Sequence, residues 1–110
     1  GVPVIDLAIQ GIGTDGHTAS LFPKDIADIP QQKSLCYVTT HPDSRQQRIT
    51  MSAHLLRHAE NIAFLVSGKA KAPIVAQAIK EQKTSSPTLP AACFPRAAWF
   101  IDADAGSLFL

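Results

Sequence analysis

Two apolar runs, Val4-Ile5-Asp6-Leu7-Ala8-Ile9 and Ile62-Ala63-Phe64-Leu65-Val66, stand out from a chain that otherwise mixes apolar and polar positions. Both are short, contain β-branched residues and end near a glycine, which predicts buried strands rather than helices. Further strands are predicted at Cys36–Thr40, stopped by His41-Pro42-Asp43, and at Arg48–Met51. Ser52 reads as the N-cap of a helix whose Leu55, Leu56 and Ala59 share one face. A second helix is predicted over Lys69–Lys83, with Pro73 in its first turn, Ile74, Val75, Ala78 and Ile79 turned inward, and Thr84-Ser85-Ser86-Pro87 closing it. The last strand covers Ala97–Ile101, with Trp99, Phe100 and Ile101 in the sheet core, and Asp102 caps a short terminal helix. Nearer the start, Ala19 to Phe22 has room for only one helical turn, because Pro23 prevents its continuation. A Pro-containing loop follows from Lys24 to Lys33. The alternation of strand and helix predicts an α/β fold with a mainly parallel sheet flanked by helices. No repeat or linker divides residues 1–110, which read as a single α/β segment.

Composition narrows the function classes. At 110 residues the chain supplies one core and buries about two thirds of its unfolded surface. Ten Lys and Arg against nine Asp and Glu leave a net charge of +1, without a basic block or an aromatic-interleaved Arg patch. That pattern argues against a nucleic acid partner. The longest strongly apolar stretch, residues 62–66, is far short of the roughly 20 residues that span a bilayer. The chain is therefore expected to be soluble and cytoplasmic, with no membrane partner. Cys36 and Cys93 are too few and too far apart for a disulfide framework.

The candidate chemistry is concentrated in Gly11-Ile12-Gly13-Thr14-Asp15-Gly16-His17-Thr18-Ala19-Ser20-Leu21-Phe22-Pro23, directly after the first strand. Gly11, Gly13 and Gly16 satisfy the G-x-G-x-x-G spacing of dinucleotide-binding loops. Such a loop also needs a long helix after the third glycine, which Pro23 precludes, and an acidic residue about 20 positions on, where this chain has Ser34, Leu35 and Cys36. A P-loop is excluded as well, since Gly68-Lys69 is followed by Ala70. What remains is a turn with little bulk, presenting an acid, an imidazole and two hydroxyls to whatever approaches its amides.

The string Asp15 to Pro23 resembles the C-terminal half of the 6-phosphogluconolactonases, with further matches at Asp6-Leu7, Arg48-Ile49-Thr50, Val66-Ser67-Gly68 with Lys71, Pro90-Ala91, Trp99, Asp102 and Ala105. The resemblance implies a Rossmann-like α/β sandwich, shared with glucosamine-6-phosphate deaminases, of which this chain would be the C-terminal part. It implies hydrolysis of the lactone of 6-phosphogluconate in the oxidative pentose phosphate pathway, without a metal or organic cofactor. The deaminases usually carry Asn-Gly-His in place of Asp15-Gly16-His17 and lack the Thr-Ala-Ser-Leu-Phe that follows. Proteins of this family are about twice as long, and the half absent here carries another glycine turn of the sugar-phosphate site. The N-terminal half of the same protein is thus an expected partner. Lys24 stands where many relatives have Gly.

Opening a lactone requires water to be deprotonated beside an ester carbonyl and the resulting oxyanion to be stabilised. An imidazole is suited to take and return that proton, and the resemblance gives His17 this role. Asp15 is placed to orient His17 or hold a substrate hydroxyl, while Gly11 contributes to the turn and the amides around Gly13 and Gly16 are expected to face the oxyanion. Arg48 opens a strand, and Lys71 lies in a first helical turn. Both are candidate phosphate contacts and match basic positions of the family pattern. Arg45, Lys69 and Arg96 read as surface charges. His54 and His58, four apart, would share a helix face but lack an evident third ligand, so no metal site is expected. His41 reads as a turn residue, and Thr18 and Ser20 as caps rather than nucleophiles. The alternatives are a glucosamine-6-phosphate deaminase or isomerase, and a sugar-phosphate-binding module without turnover.

Overall fold

A computed structural model describes residues 1–108. Three parallel strands, β1 (Leu7–Gln10), β4 (Asn61–Val66) and β5 (Ala98–Ile101), lie side by side in the order β1-β4-β5. Leu7 pairs with Asn61, and Ala63 with Ala98. The remaining strands, β2 (Cys36–Thr40) and β3 (Gln47–Met51), form a separate antiparallel hairpin in which Thr39 faces Arg48 and Tyr37 faces Thr50. Their connection is too short for a parallel crossover, so the two strands pair antiparallel, in a sheet of their own. The α/β class with a parallel sheet flanked by helices is as the sequence predicts.

The helices follow from their local signals. Ser52 adopts an extended conformation and its hydroxyl accepts a hydrogen bond from the Leu55 N–H, starting α1 (Ala53–Arg57). A 3₁₀ turn over Lys69–Lys71 leads into α2 (Ala72–Glu81), with Pro73 in the first turn where its missing N–H costs nothing. Ile74, Val75 and Ala78 bury against the same core as Ala8, Ile62, Phe64 and Val66. Trp99 stacks on Phe64 with ring centroids 4.4 Å apart and donates its indole N–H to Gln82 Oε1.

Several expectations are corrected. The first strand begins at Leu7 rather than Val4, where pairing with β4 begins. The preceding carbonyls of Ile5 and Asp6 accept from the Glu60 and Asn61 amides. No helical turn spans Ala19–Phe22, because Ala19 has φ of 50°, outside the right-handed region. Pro23 instead starts a 3₁₀ turn over Pro23–Asp25, after an extended Phe22. A second such turn, Ile29–Gln31, breaks the loop that follows. Asp102 caps one turn, accepting from the Ala105 N–H at 2.8 Å, but no terminal helix forms among the described residues.

The largest correction concerns burial. Both apolar runs read as buried strands, yet burial alternates along them. Ala8, Ile62, Phe64 and Val66 are buried, whereas Leu7, Ile9, Leu65 and Phe100 are 52%, 63%, 64% and 59% exposed. One face of the sheet packs against the helices and the other is open. Gly11 leaves β1, Gly68 follows β4 and Asp102 follows β5, all at the carboxyl edge, where parallel α/β sheets bind ligands. Asp102 ties that edge together by accepting from the Gly68 N–H at 3.2 Å.

Candidate active site

The loop after β1 folds on itself through backbone bonds. The Gly13 N–H donates to His17 O and the Gly16 N–H to Gly13 O, each at 2.9 Å. Thr18 Oγ1 donates to Gly11 O at 2.8 Å, fastening the loop to the end of its strand rather than capping a helix. Inside it, Asp15 Oδ1 accepts the backbone N–H of His17 at 3.1 Å and lies 2.6 Å from His17 Nδ1. Partial burial pushes the Asp15 carboxyl up, but the bonds and charge of His17 outweigh it and hold the group below its ordinary value. An ionised carboxylate only accepts, so the ring proton sits on Nδ1 and Nε2 is left free.

Both glycines of the inner turn are required by shape. A Cβ on Gly13 would collide with the His17 ring and come within 2.9 Å of Asp15 Oδ1. Gly16 has φ of 91°, and a Cβ there would meet Leu89 Cδ2 at 2.6 Å. The Gly16 carbonyl accepts from the Ala91 N–H at 3.0 Å, so the segment after α2 braces the loop. On the other side, the fully buried Phe22 ring lies 5.4 Å from the His17 ring and 5.2 Å from that of His41. His41 is a turn residue, its Nδ1 accepting from the Asp43 and Ser44 amides, and it also docks the hairpin beside His17.

Gly11, Gly13, His17, Ala19 and Lys71 line a hollow of 340 Å³. Lys71 is half-buried at the start of α2, and its ammonium donates to Ile12 O. The amides of Gly13 and Gly16 do not face an oxyanion, since both are used inside the loop. Arg48 does not line this hollow. It sits on the hairpin, its Nε donating to Gln46 Oε1 at 3.2 Å, two residues from Thr50, which accepts the Ser20 N–H.

Three participants have no sequence signal of their own or only a faint one. Ala19 holds a left-handed conformation in the wall of the hollow, a strain often stored at functional sites. Gln10 ends β1 buried, with neither amide atom bonded among the described residues, and a polar residue closing an apolar run was the clue. Glu81 accepts from the Thr88 and Leu89 amides at 2.6 and 3.2 Å, holding in place the Leu89 that packs on Gly16.

Among the described residues no three His, Cys, Asp or Glu side chains gather as metal ligands. The His54 and His58 rings meet edge to face at 5.0 Å, with His58 Nδ1 bonded to the His54 carbonyl. Cys36 and Cys93 are free thiols, and no helix among the described residues is long and apolar enough to cross a membrane.

The family model described as glucosamine-6-phosphate isomerases/6-phosphogluconolactonase matches residues 1–101. The chain belongs to this family. Among curated relatives, the 6-phosphogluconolactonase of Treponema pallidum (strain Nichols) is 38% identical over 94 residues, covering 82% of this chain and 39% of that protein. The 6-phosphogluconolactonase of Rattus norvegicus is 35% identical over 111 residues, covering 97% and 42%. Among solved structures, the devB protein superposes with a TM-score of 0.85 at 37% identity, over 99% of this chain and 46% of that one. A monomeric glucosamine-6-phosphate deaminase of the NagB superfamily superposes with a TM-score of 0.69 at 25% identity, over 94% of this chain and 47% of that one. The chain spans about two fifths of the length of the curated family members it matches.

Proposed function

We propose that this chain carries the general-base loop of a cytoplasmic enzyme that hydrolyses 6-phosphogluconolactone to 6-phosphogluconate in the oxidative pentose phosphate pathway. The observation that carries the reading is the double hold of Asp15 Oδ1 on the His17 amide and ring, in a loop lining a hollow that also contains Lys71. With Nδ1 engaged, His17 Nε2 takes a proton from water as the oxygen attacks the lactone carbonyl carbon. The tetrahedral intermediate collapses with cleavage of the bond to the ring oxygen, and the imidazolium returns its proton there. A hydroxyl and a carboxylic acid result, and the acid ionises in water. Asp15 acts as a positioning residue and steadies the imidazolium between the two transfers.

Lys71 supplies positive charge within the hollow, for the substrate phosphate or the developing oxyanion. Arg48 is a phosphate contact from the flanking hairpin, whose docking through His41 and Phe22 keeps that element beside His17. No step calls on a metal or an organic cofactor.

The open sheet face completes the proposal. Parallel sheets are ordinarily covered on both faces, and Leu7, Ile9, Leu65 and Phe100 form an uncovered apolar surface. The N-terminal half of the same protein packs on it and adds the rest of the substrate site.

The test is an assay of the intact protein with two substrates. Loss of 6-phosphogluconolactone beyond its spontaneous hydrolysis, without ammonia release from glucosamine 6-phosphate, is the expected result. Ammonia release with no lactone turnover would transfer the chain to the deaminase branch. Binding of 6-phosphogluconate without either reaction would make it a binding module.

A further inference from the structure

A second hollow, of 320 Å³, lies at the opposite edge of the sheet, where β4 begins and the chain enters β5. Its base is apolar and buried, formed by Ile29, Ile62 and Phe94. Around it stand Lys33, His54, Arg57, His58 and Arg96, and no carboxylate lines it. The ion pairs among the described residues are His17–Asp15 and Lys24–Asp25, so none of these five groups makes an ion pair there.

The cations are arranged rather than scattered. Arg96 Nη2 donates to the carbonyls of Arg57 and Ala59 at 2.7 and 3.0 Å, which anchors its guanidinium beside the end of α1. His58 is fixed through Nδ1 to the His54 carbonyl, leaving Nε2 available, while the Arg57 guanidinium makes no hydrogen bond among the described residues. Desolvation and then the charges of His58, Lys33 and Arg57 hold His54 below its ordinary value. A cleft lined by one sign of charge concentrates ions of the other sign. Guanidinium groups match phosphate oxygens in two-pronged contacts, and an apolar base receives an organic moiety.

We infer that this hollow binds a small phosphorylated organic molecule, its phosphate held by Arg57, Lys33 and Arg96 and its apolar portion against the exposed rings of Pro30 and Pro95. The site is separate from the His17 loop and independent of the lactonase reading. Its position at the amino edge of the strands, away from the carboxyl-edge hollow, suits a ligand other than the substrate.

Calorimetric titration of the intact protein with phenyl phosphate and with inorganic phosphate tests this, in a Lys71→Ala background that weakens the first hollow. Phenyl phosphate should bind one to one and about 10-fold more tightly than inorganic phosphate, through its buried ring. Arg57→Ala and Lys33→Ala should each weaken it by about 10-fold, and both lie at exposed positions where the fold is retained. Equal affinity for the two anions would overturn the organic-ligand inference. Absence of binding, or binding unaffected by both substitutions, would overturn the site itself.

Discussion

A single carboxylate oxygen of Asp15 holds His17 at two points, the backbone N–H at 3.1 Å and ring Nδ1 at 2.6 Å. The geometry fixes both the position of the loop and the proton on the ring. In Asp15→Asn the amide oxygen still accepts a hydrogen bond but no longer carries the charge that steadies an imidazolium. Steady-state kinetics should show kcat lowered roughly 10-fold or more with KM little changed. An unaltered kcat would leave Asp15 a purely structural residue.

The two inner glycines should fail differently. In Gly16→Ala, a side chain at φ of 91° also presses on Leu89, so the expected loss is about 2 kcal/mol or more in denaturant unfolding. In Gly13→Ala the new methyl occupies the place of the His17 ring, which is partly exposed and can swing away. Activity should fall at least as far as in Asp15→Asn, with a smaller loss of stability than in Gly16→Ala.

The brace behind Gly16 should respond to acid. Partial burial pushes the Glu81 carboxyl up, but hydrogen bonds from Gln77, Thr88 and Leu89 outweigh it and hold the group below its ordinary value of 4.5. The folded protein therefore binds this proton less readily than the unfolded chain. The contribution is full above pH 4.5 and is lost as pH falls below it. Urea unfolding compared at about pH 6 and about pH 3 should show a larger loss for the natural protein than for Glu81→Gln. Equal losses would show that Glu81 does not brace the 84–89 segment.

Much of this arrangement is legible in the sequence, because the signals are local. Ser52 before an apolar helical pattern, Pro73 at a helix start, and a glycine-rich turn after an apolar strand each report on a few neighbouring residues. The loop that holds His17, and the place of Lys71 beside it, follow from such signals together with the family resemblance. Pro23 shows their limit. A proline both stops a preceding helix and starts a following turn, and here the second role prevails because Phe22 is extended and Ala19 left-handed.

The long-range features were not legible. Nothing near Gly16 in sequence reveals that Leu89, 73 positions beyond it, is what forbids a side chain there. The position of Arg48 outside the hollow depends on how the hairpin is turned, which its own pattern does not encode. Phe100 reads as core because its strand is apolar, and faces outward because only one side of the sheet is covered by these residues.

That open side yields a prediction of its own. If the remainder of the protein packs on the sheet, Leu65, 64% exposed here, is a core residue of the whole. Leu65→Ala should then destabilise the intact protein by about 2–3 kcal/mol in chemical denaturation. A change within about 0.5 kcal/mol would mean that this face meets water.

The most direct test of the account is the rate of 6-phosphogluconolactone hydrolysis by the intact protein carrying His17→Ala, measured over spontaneous decay with folding verified by circular dichroism. The expected result is a fall in kcat of about 10²-fold or more with the fold unchanged. Full turnover in that folded variant would remove the imidazole from the chemistry and contradict the mechanism.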